Sequence, residues 1–385
     1  MLVKLKGTLA RRPLAGFLVL VGSACIVYAG LASAWSSTPV WTNRFSTVSA
    51  MAAGLAALVC CWATSGPSDR PPRRLTQLCI VVAVVLVTVA GLCLRIWMAW
   101  RVDRGIFART PDLNGVSMPP LGGWIHRELG TTVSWLRALV AGLVLAGALS
   151  PFAAVRRTAR ALVSWRGLRV WRLTGLAVVV PAICTVIAAL GGRLAPVLES
   201  GSIRYGHPVA YPLAYFVTAL VLSVPLVFAW YGFVDRRLAH LVSPLVSGMV
   251  IGLALVLPYQ LVMRIADRSI GLSGLNNAWI DLTLASQIAV AVMAVWFARR
   301  ARGSLVPTAV LLAAVSTEMS FSAMWFSASV ETTQQLYAAF LIGAAVLFAI
   351  TGRMWRVTGA RGTPEPPDGP DAASEPSVVG TTLQL

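Results

Sequence analysis

Long apolar stretches recur along the whole chain, and short polar segments separate them. A helix that crosses a lipid bilayer needs about 20 consecutive, mostly apolar residues. Ten stretches reach or nearly reach that length: 14–35, 46–64, 76–97, 133–155, 173–191, 209–233, 245–263, 279–298, 305–326 and 335–352. The pattern predicts an all-α fold, namely a polytopic transmembrane bundle of about ten spanning helices.

The basic residues are spread unevenly over the polar segments, and their bias predicts an orientation. Cytoplasmic loops carry an excess of Lys and Arg. With the N-terminus inside, the outer segments hold nine basic residues and the inner segments hold 21, at 4–12, 70–74, 156–172, 236–237, 299–302 and 353–361. We therefore expect an N-in/C-in topology, with both termini in the cytoplasm.

The spacing of the stretches predicts three regions. Residues 1–172 contain four stretches and form an N-terminal four-helix membrane region, and residues 173–356 contain the other six. Residues 357–385 are rich in Pro, Gly, Ser and acidic residues and have no apolar period, so we expect a disordered cytoplasmic tail.

Composition supports a membrane protein and excludes a soluble globular protein and a disordered one. Hydrophobic residues make up 57% of the chain and charged residues only 12%, about half the usual share for a soluble domain. The net charge of +18 does not indicate a nucleic-acid partner, because the orientation bias already accounts for the basic residues. The preference for Arg over Lys is typical of codon usage in a GC-rich bacterial genome, so we expect the chain to lie in the inner (plasma) membrane.

Few ionisable groups lie within the apolar stretches, and such groups are functional candidates. Glu318 is the one acid well inside a stretch, and Gln260 and Gln287 add uncharged polar groups. Glu318 could stay protonated and hydrogen-bonded to a neighbouring helix, pair with Arg264, or relay protons. The set supplies neither paired carboxylates, nor three metal ligands, nor a His beside a Ser. We expect no metal and no cofactor.

Small residues at a spacing of four give several helices a face that lets backbones approach closely. The pairs are Gly248 with Gly252, Gly142 with Ala138, and Ala339 with Gly343. Ten helices must pack on one another, so we expect these faces to be used within the chain. Pro181, Pro225, Pro258 and Pro307 each predict a kink.

Residues 211–326 resemble the core of the CAAX protease and bacteriocin-processing (CPBP) family of intramembrane proteases. Trp230, Gly232 and Phe233 match a Trp-Arg-Gly-aromatic phrase at the cytoplasmic end of a helix. A basic stretch at 236–237 follows, and the phrase at 303–307, Gly-Ser-Leu-Val-Pro, opens a later helix as in the family.

The chemistry of that family is missing from the matching positions. The resemblance implies a Glu pair and two His as the water-activating or metal-binding set, with an Arg and an Asn beside them. Those six positions hold Leu226, Val227, Tyr259, Leu312, Tyr231 and Ser316. The resemblance therefore implies a degenerate member, a pseudoenzyme in which the first four side chains converge on an apolar, dry centre.

These observations favour a protein that has lost proteolysis and acts by binding a membrane protein, a peptide or a lipid. A transporter or channel that uses Glu318, Gln260 and Gln287 as its polar site is the first alternative. An active CAAX-type protease with a displaced site is the second. In a third, an enzyme holds a metal in the outer loops through His126, Glu128 and His207.

Overall fold

The computed structural model describes residues 2–35, 40–65, 73–109, 132–191, 210–270, 277–325 and 330–356. Over these ranges the chain is helical and contains no strand, so the all-α prediction is confirmed. The helices are α1 (Leu2–Arg11), α2 (Pro13–Trp35), α3 (Val40–Thr64), α4 (Arg74–Arg109), α5 (Thr132–Ala146), α6 (Ala153–Ala161), α7 (Leu168–Gly191), α8 (Ala210–Leu226), α9 (Asp235–Leu238), α10 (Pro244–Ile270), α11 (Asn277–Arg300), α12 (Val306–Trp325) and α13 (Val330–Thr351).

Each of the ten predicted stretches overlaps at least one of these helices. Four segments of the described chain are long and apolar enough to cross a membrane: Pro13–Gly30, Arg74–Leu94, Leu168–Ala188 and Leu213–Leu238. The second has a mean hydropathy of 2.7, yet only 11% of it is buried inside the protein. A surface as apolar as this one would be unfavourable in water. The finding therefore supports a membrane protein.

Two helix ends differ from the sequence-based prediction. Helix α4 continues past residue 97 to Arg109, into the segment expected to be a loop. The predicted 133–155 stretch breaks instead, because Pro151 cannot continue a helix. Helix α5 ends at Ala146, a 3₁₀ turn covers Gly147–Leu149, and α6 follows as a separate amphipathic helix.

Close backbone contacts join the helices at the small-residue faces. A Cβ added to Gly248 would lie 2.6 Å from Val292 Cα, and one added to Gly252 would lie 2.8 Å from Ile288 Cα. At Gly142 the nearest atom would be Val81 Cα, at 3.0 Å. Packing within the chain is thus confirmed for these glycines. The face of Gly343 is different, since nothing lies within 4 Å of its added Cβ.

Helix α8 lies at the centre, packed on α3, α4, α5 and α12. It continues into a wide π-helical segment, Val227–Val234, whose eight residues are all buried. Pro225 stands just before that segment, and its missing N–H and its ring disturb the regular α-helical ladder there. From α2, Phe17 packs edge-on against Trp230, with ring centroids 5.2 Å apart.

Of the four prolines expected to kink helices, three lie in helix interiors and one lies in a first turn. Pro181, Pro225 and Pro258 are internal to α7, α8 and α10. Pro307 is the second residue of α12, so the prediction of a kink there is wrong. In the first turn of a helix the N–H that Pro lacks has no partner to lose.

Candidate functional site

Four of the six family-derived positions, Leu226, Val227, Tyr231 and Leu312, lie in or beside the apolar core. Val227 is fully buried, and Leu226 and Leu312 are partly buried against the same core. Ser316 is exposed, and the side chain of Tyr259 lies outside the described residues. The convergence of Leu226, Val227, Tyr259 and Leu312 therefore stays a prediction.

The predicted intramembrane polar site is described in part. Glu318 is half-buried on α12 and lies close to Thr185 of α7, whose hydroxyl donates to the Pro181 carbonyl at 3.1 Å. Tyr337 of α13 lies close to it, and the Tyr337 hydroxyl is buried without a hydrogen-bond partner among the described residues. Gln287 is half-buried on α11, whereas the side chains of Gln260 and Arg264 lie outside the described residues.

A charged network that sequence reasoning missed is centred on Asp235, the first residue of α9. The residue is only 3% exposed. Arg299 of α11 donates to its carboxylate from Nη2, at 2.8 Å from Oδ1, and from Nε, at 3.2 Å from Oδ1 and 3.3 Å from Oδ2. Ser247 of α10 donates its hydroxyl proton to Oδ1 at 2.6 Å. One carboxylate thus ties three helices together.

The π-helical segment places Asp235 in that position. The backbone N–H of Asp235 donates to the carbonyl of Trp230, five residues earlier, which is the π-helical spacing. Each such turn rotates the following side chains relative to an α-helix. Asp235 consequently faces inward although basic residues follow it directly, at Arg236 and Arg237.

A cavity of about 700 Å³ lies beside the network, at the end of the bundle that the charge bias places in the cytoplasm. Five arginines line it against a single carboxylate, that of Asp235. The lining residues are Tyr231, Asp235, Arg236, Ala239, His240, Pro244, Trp296, Ala298, Arg299, Arg300, Gly303, Leu305, Gly352, Arg353, Met354 and Arg356. Because Asp235 is bound by Arg299, the remaining arginines give the cavity a strongly positive potential.

The end of α13 closes one side of the cavity through a tight turn. Arg353 has a φ of +50°, the left-handed conformation that residues with a Cβ adopt at a cost of about 1 kcal/mol or more. Met354, fully buried, accepts a hydrogen bond from the backbone N–H of Leu245 at 3.1 Å. Gly352 is required there, because a Cβ at that position would lie 2.6 Å from the Phe348 carbonyl oxygen and would also strike the Trp296 indole.

Three donors of the cavity lining are unsatisfied. Nη1 of Arg299, Nε1 of Trp296 and the hydroxyl of Tyr231 are buried and have no hydrogen-bond partner within the described ranges. A buried polar group without a partner costs free energy, and the cost is larger when the group is charged. Such groups in a folded protein call for an explanation, and a ligand that accepts their hydrogen bonds is one.

Other segments predicted to be cytoplasmic meet near the same end. The backbone N–H of Leu305 donates to the Ala161 carbonyl at 2.7 Å, and the Ser304 hydroxyl donates to the Ser164 carbonyl at 2.7 Å. Arg160 of α6 turns back and donates from Nε to the Ala148 carbonyl at 3.2 Å. These contacts bring the segments near 160, 240, 300 and 354 to one end of the bundle.

Over the ranges that the structure describes, His, Cys, Asp and Glu nowhere form a group of three or more that could hold a metal ion. The outer-loop candidates His126, Glu128 and His207 lie outside those ranges. The six cysteines are free thiols, four buried and two, Cys79 and Cys93, exposed on α4.

Comparison with known proteins adds no assignment: no family model, no curated protein and no solved structure matches this chain.

Proposed function

We propose that the chain is a multi-pass protein of a bacterial inner membrane, with ten spans and both termini in the cytoplasm. The apolar, outward-facing surface of α4 supports a lipid environment. The contacts between residues 161 and 305 and between residues 245 and 354 support the orientation, because they join segments that the charge bias places on the same side.

We propose further that the protein acts by binding an anionic ligand in the cavity beside Asp235, and that it does not cleave a bond. The observation that carries this proposal is the lining itself, in which five arginines and a buried, unpartnered Arg299 Nη1 surround about 700 Å³ of space. Arg binds phosphates and carboxylates through paired, charge-assisted hydrogen bonds. A CPBP-like frame with apolar side chains at the catalytic positions fits a binding role.

The experiment is a thermal-unfolding measurement on the full-length protein in a neutral detergent. Replacing chloride by phosphate or sulfate at constant ionic strength is expected to raise Tm, since a ligand that binds only the folded state stabilises it. Arg300→Gln should reduce the rise, because Arg300 lines the cavity. The matched control is Arg302→Gln, an exposed arginine two residues away that is outside the lining.

An equal rise of Tm in the unaltered protein, Arg300→Gln and Arg302→Gln would indicate a general salt effect and would contradict the proposed site. An unchanged Tm of the unaltered protein in phosphate or sulfate would also contradict it.

Transport is the second candidate, and the cluster of Glu318, Thr185 and Tyr337 is the observation in its favour. A half-buried carboxyl group beside a buried, unsatisfied hydroxyl could hold a cation or pass a proton. A flux assay in liposomes separates the two candidates. Ion or proton flux that disappears in Glu318→Gln would favour transport.

A further inference from the structure

We propose that the ligand of the cavity is the phosphate headgroup of an anionic phospholipid from the cytoplasmic leaflet. This inference rests on the proposed function and makes its ligand specific. The relevant features are a buried donor without an acceptor, an arginine held in a strained conformation at the rim, and exposed apolar side chains beside the basic lining.

The first feature favours a phosphate over a simple monovalent anion. Arg299 uses Nε and Nη2 on Asp235, which leaves Nη1 buried and unpartnered. The nearby indole N–H of Trp296 is also buried and has no hydrogen-bond partner among the described residues. A phosphate has several acceptor oxygens and could accept from both donors, whereas the other lining arginines supply the countercharge.

The second feature concerns the turn at the end of α13. Left-handed positions at helix ends are usually occupied by Gly, and occasionally by Asn. Arg353, at φ +50°, and Arg302, at φ +48°, each occupy one, and of the two it is Arg353 that lines the cavity. Strain of this kind is concentrated at ligand clamps, where the side chain is needed more than the local stability. We assign Arg353 the role of a rim clamp on the phosphate.

The third feature favours a lipid over a soluble phosphate. Leu241 is 69% exposed directly after His240, and Trp355 is 52% exposed between the lining residues Met354 and Arg356. Trp is enriched at the boundary between headgroups and acyl chains. Basic pockets between helices on the cytoplasmic side bind anionic headgroups, with the acyl chains lying along the adjoining apolar surface.

The test is a lipid titration of the full-length protein in neutral detergent, with bound lipid counted by native mass spectrometry. The probes are phosphatidylglycerol, phosphatidylcholine and inorganic phosphate. We expect one saturable phosphatidylglycerol per chain, much weaker phosphatidylcholine binding, and inorganic phosphate that competes only at far higher concentration.

Two variants locate the lipid and avoid the folding problem that a change of Arg299 would create. Arg353→Gly is expected to weaken phosphatidylglycerol binding about tenfold, the value of one charge-assisted hydrogen bond. Its Tm without lipid should stay the same or rise, because Gly relieves the left-handed strain. Arg300→Gln should also weaken binding, and Arg302→Gln should not.

Each other result would overturn the inference in a distinguishable way. Inorganic phosphate that binds as tightly as the lipid would exclude a lipid ligand but keep the anion site. Phosphatidylglycerol that binds equally to all variants would be a general lipid shell, outside the cavity. If phosphatidylglycerol bound only after the carboxylates of the C-terminal segment were neutralised, that segment would be the occupant of the cavity. The carboxylates concerned are those of Glu365, Asp368, Asp371 and Glu375. If neither phosphatidylglycerol nor inorganic phosphate bound, the proposed function would be overturned as well.

Discussion

Asp235 and Arg299 form an ion pair in which neither charge is fully exposed. The Asp235 side chain is 4% exposed and that of Arg299 is 17% exposed. Taking charges out of water is costly, and their attraction offsets the cost only when the geometry is good and other hydrogen bonds complete the shell. Ser247 supplies one of those bonds. The remaining deficit is at Arg299 Nη1, which is buried without a hydrogen-bond partner among the described residues.

Removal of one partner of this pair should destabilise the protein more than removal of both. Asp235→Asn leaves the Arg299 charge without a counterion, at an expected cost near the lower end of the roughly 3–5 kcal/mol range for buried pairs. The double variant Asp235→Asn, Arg299→Gln should recover part of that loss. The measurement is Tm of the single and double variants in detergent, in the absence of added anion.

Ser247→Ala is the companion variant, and it should lower stability by about 1.5–3 kcal/mol, the usual range for a hydrogen bond to a charged group. The double variant Asp235→Asn, Arg299→Gln provides the contradicting outcome. If its loss of stability equalled the sum of the losses in the two single variants, the two charges would not interact in the folded protein.

The helices of the bundle approach one another most closely where Gly replaces a side chain. Gly248 and Gly252 face Val292 and Ile288, so α10 and α11 pack backbone to backbone at two positions about one turn apart. In lipid the hydrophobic effect does not drive helices together, and van der Waals contact of this kind does. The same pair of helices carries Ser247 and Arg299, so this packing positions the charged network.

Gly248→Ala is expected to destabilise the bundle by about 1–3 kcal/mol, since its Cβ would overlap the α11 backbone. Gly343→Ala is the matched control, because it adds the same methyl group to another long apolar helix where nothing lies within 4 Å. That control should be neutral or slightly stabilising. Equal Tm changes for the two variants would mean that α10 and α11 do not approach as closely as described.

The length of the apolar stretches was sufficient to predict most of the long helices, because apolar length depends on local composition alone. The spacing of the small residues predicted the close packing at Gly248 and Gly252, since small residues in lipid have few other uses. Neither pattern could predict the Asp235 network. An acid next to Arg236 and Arg237 has the sequence pattern of a solvated loop, and only the π-helical turn after Pro225 directs it inward. The only available signal was an isolated acid directly after an apolar, aromatic run.

The distribution of charge over the whole molecule concentrates basic groups at one end. The cavity arginines, α6 and the turn after α11 all lie there. Anionic lipids of the cytoplasmic leaflet attract such a surface over about a Debye length. The proposed orientation and the proposed binding site thus depend on the same feature.

Reporter fusions test this orientation. A fluorescent protein that folds only in the cytoplasm, fused after residue 356, is expected to fluoresce, and alkaline phosphatase inserted within 110–131 is expected to be active, because ten crossings from an inner N-terminus require both. If the fluorescent protein after residue 356 stayed dark and alkaline phosphatase fused at the same place were active, the number of crossings would be odd. That result would contradict the topology.

The most direct test of ligand binding is an experimental structure of the full-length protein in nanodiscs that contain phosphatidylglycerol. We expect a phosphate group about 3 Å from Arg299 Nη1, at hydrogen-bonding distance, with Arg353 at its edge. A cavity without a phosphate, together with a hydrated ion held by Glu318 and Tyr337 at bilayer depth, would contradict the account and favour transport.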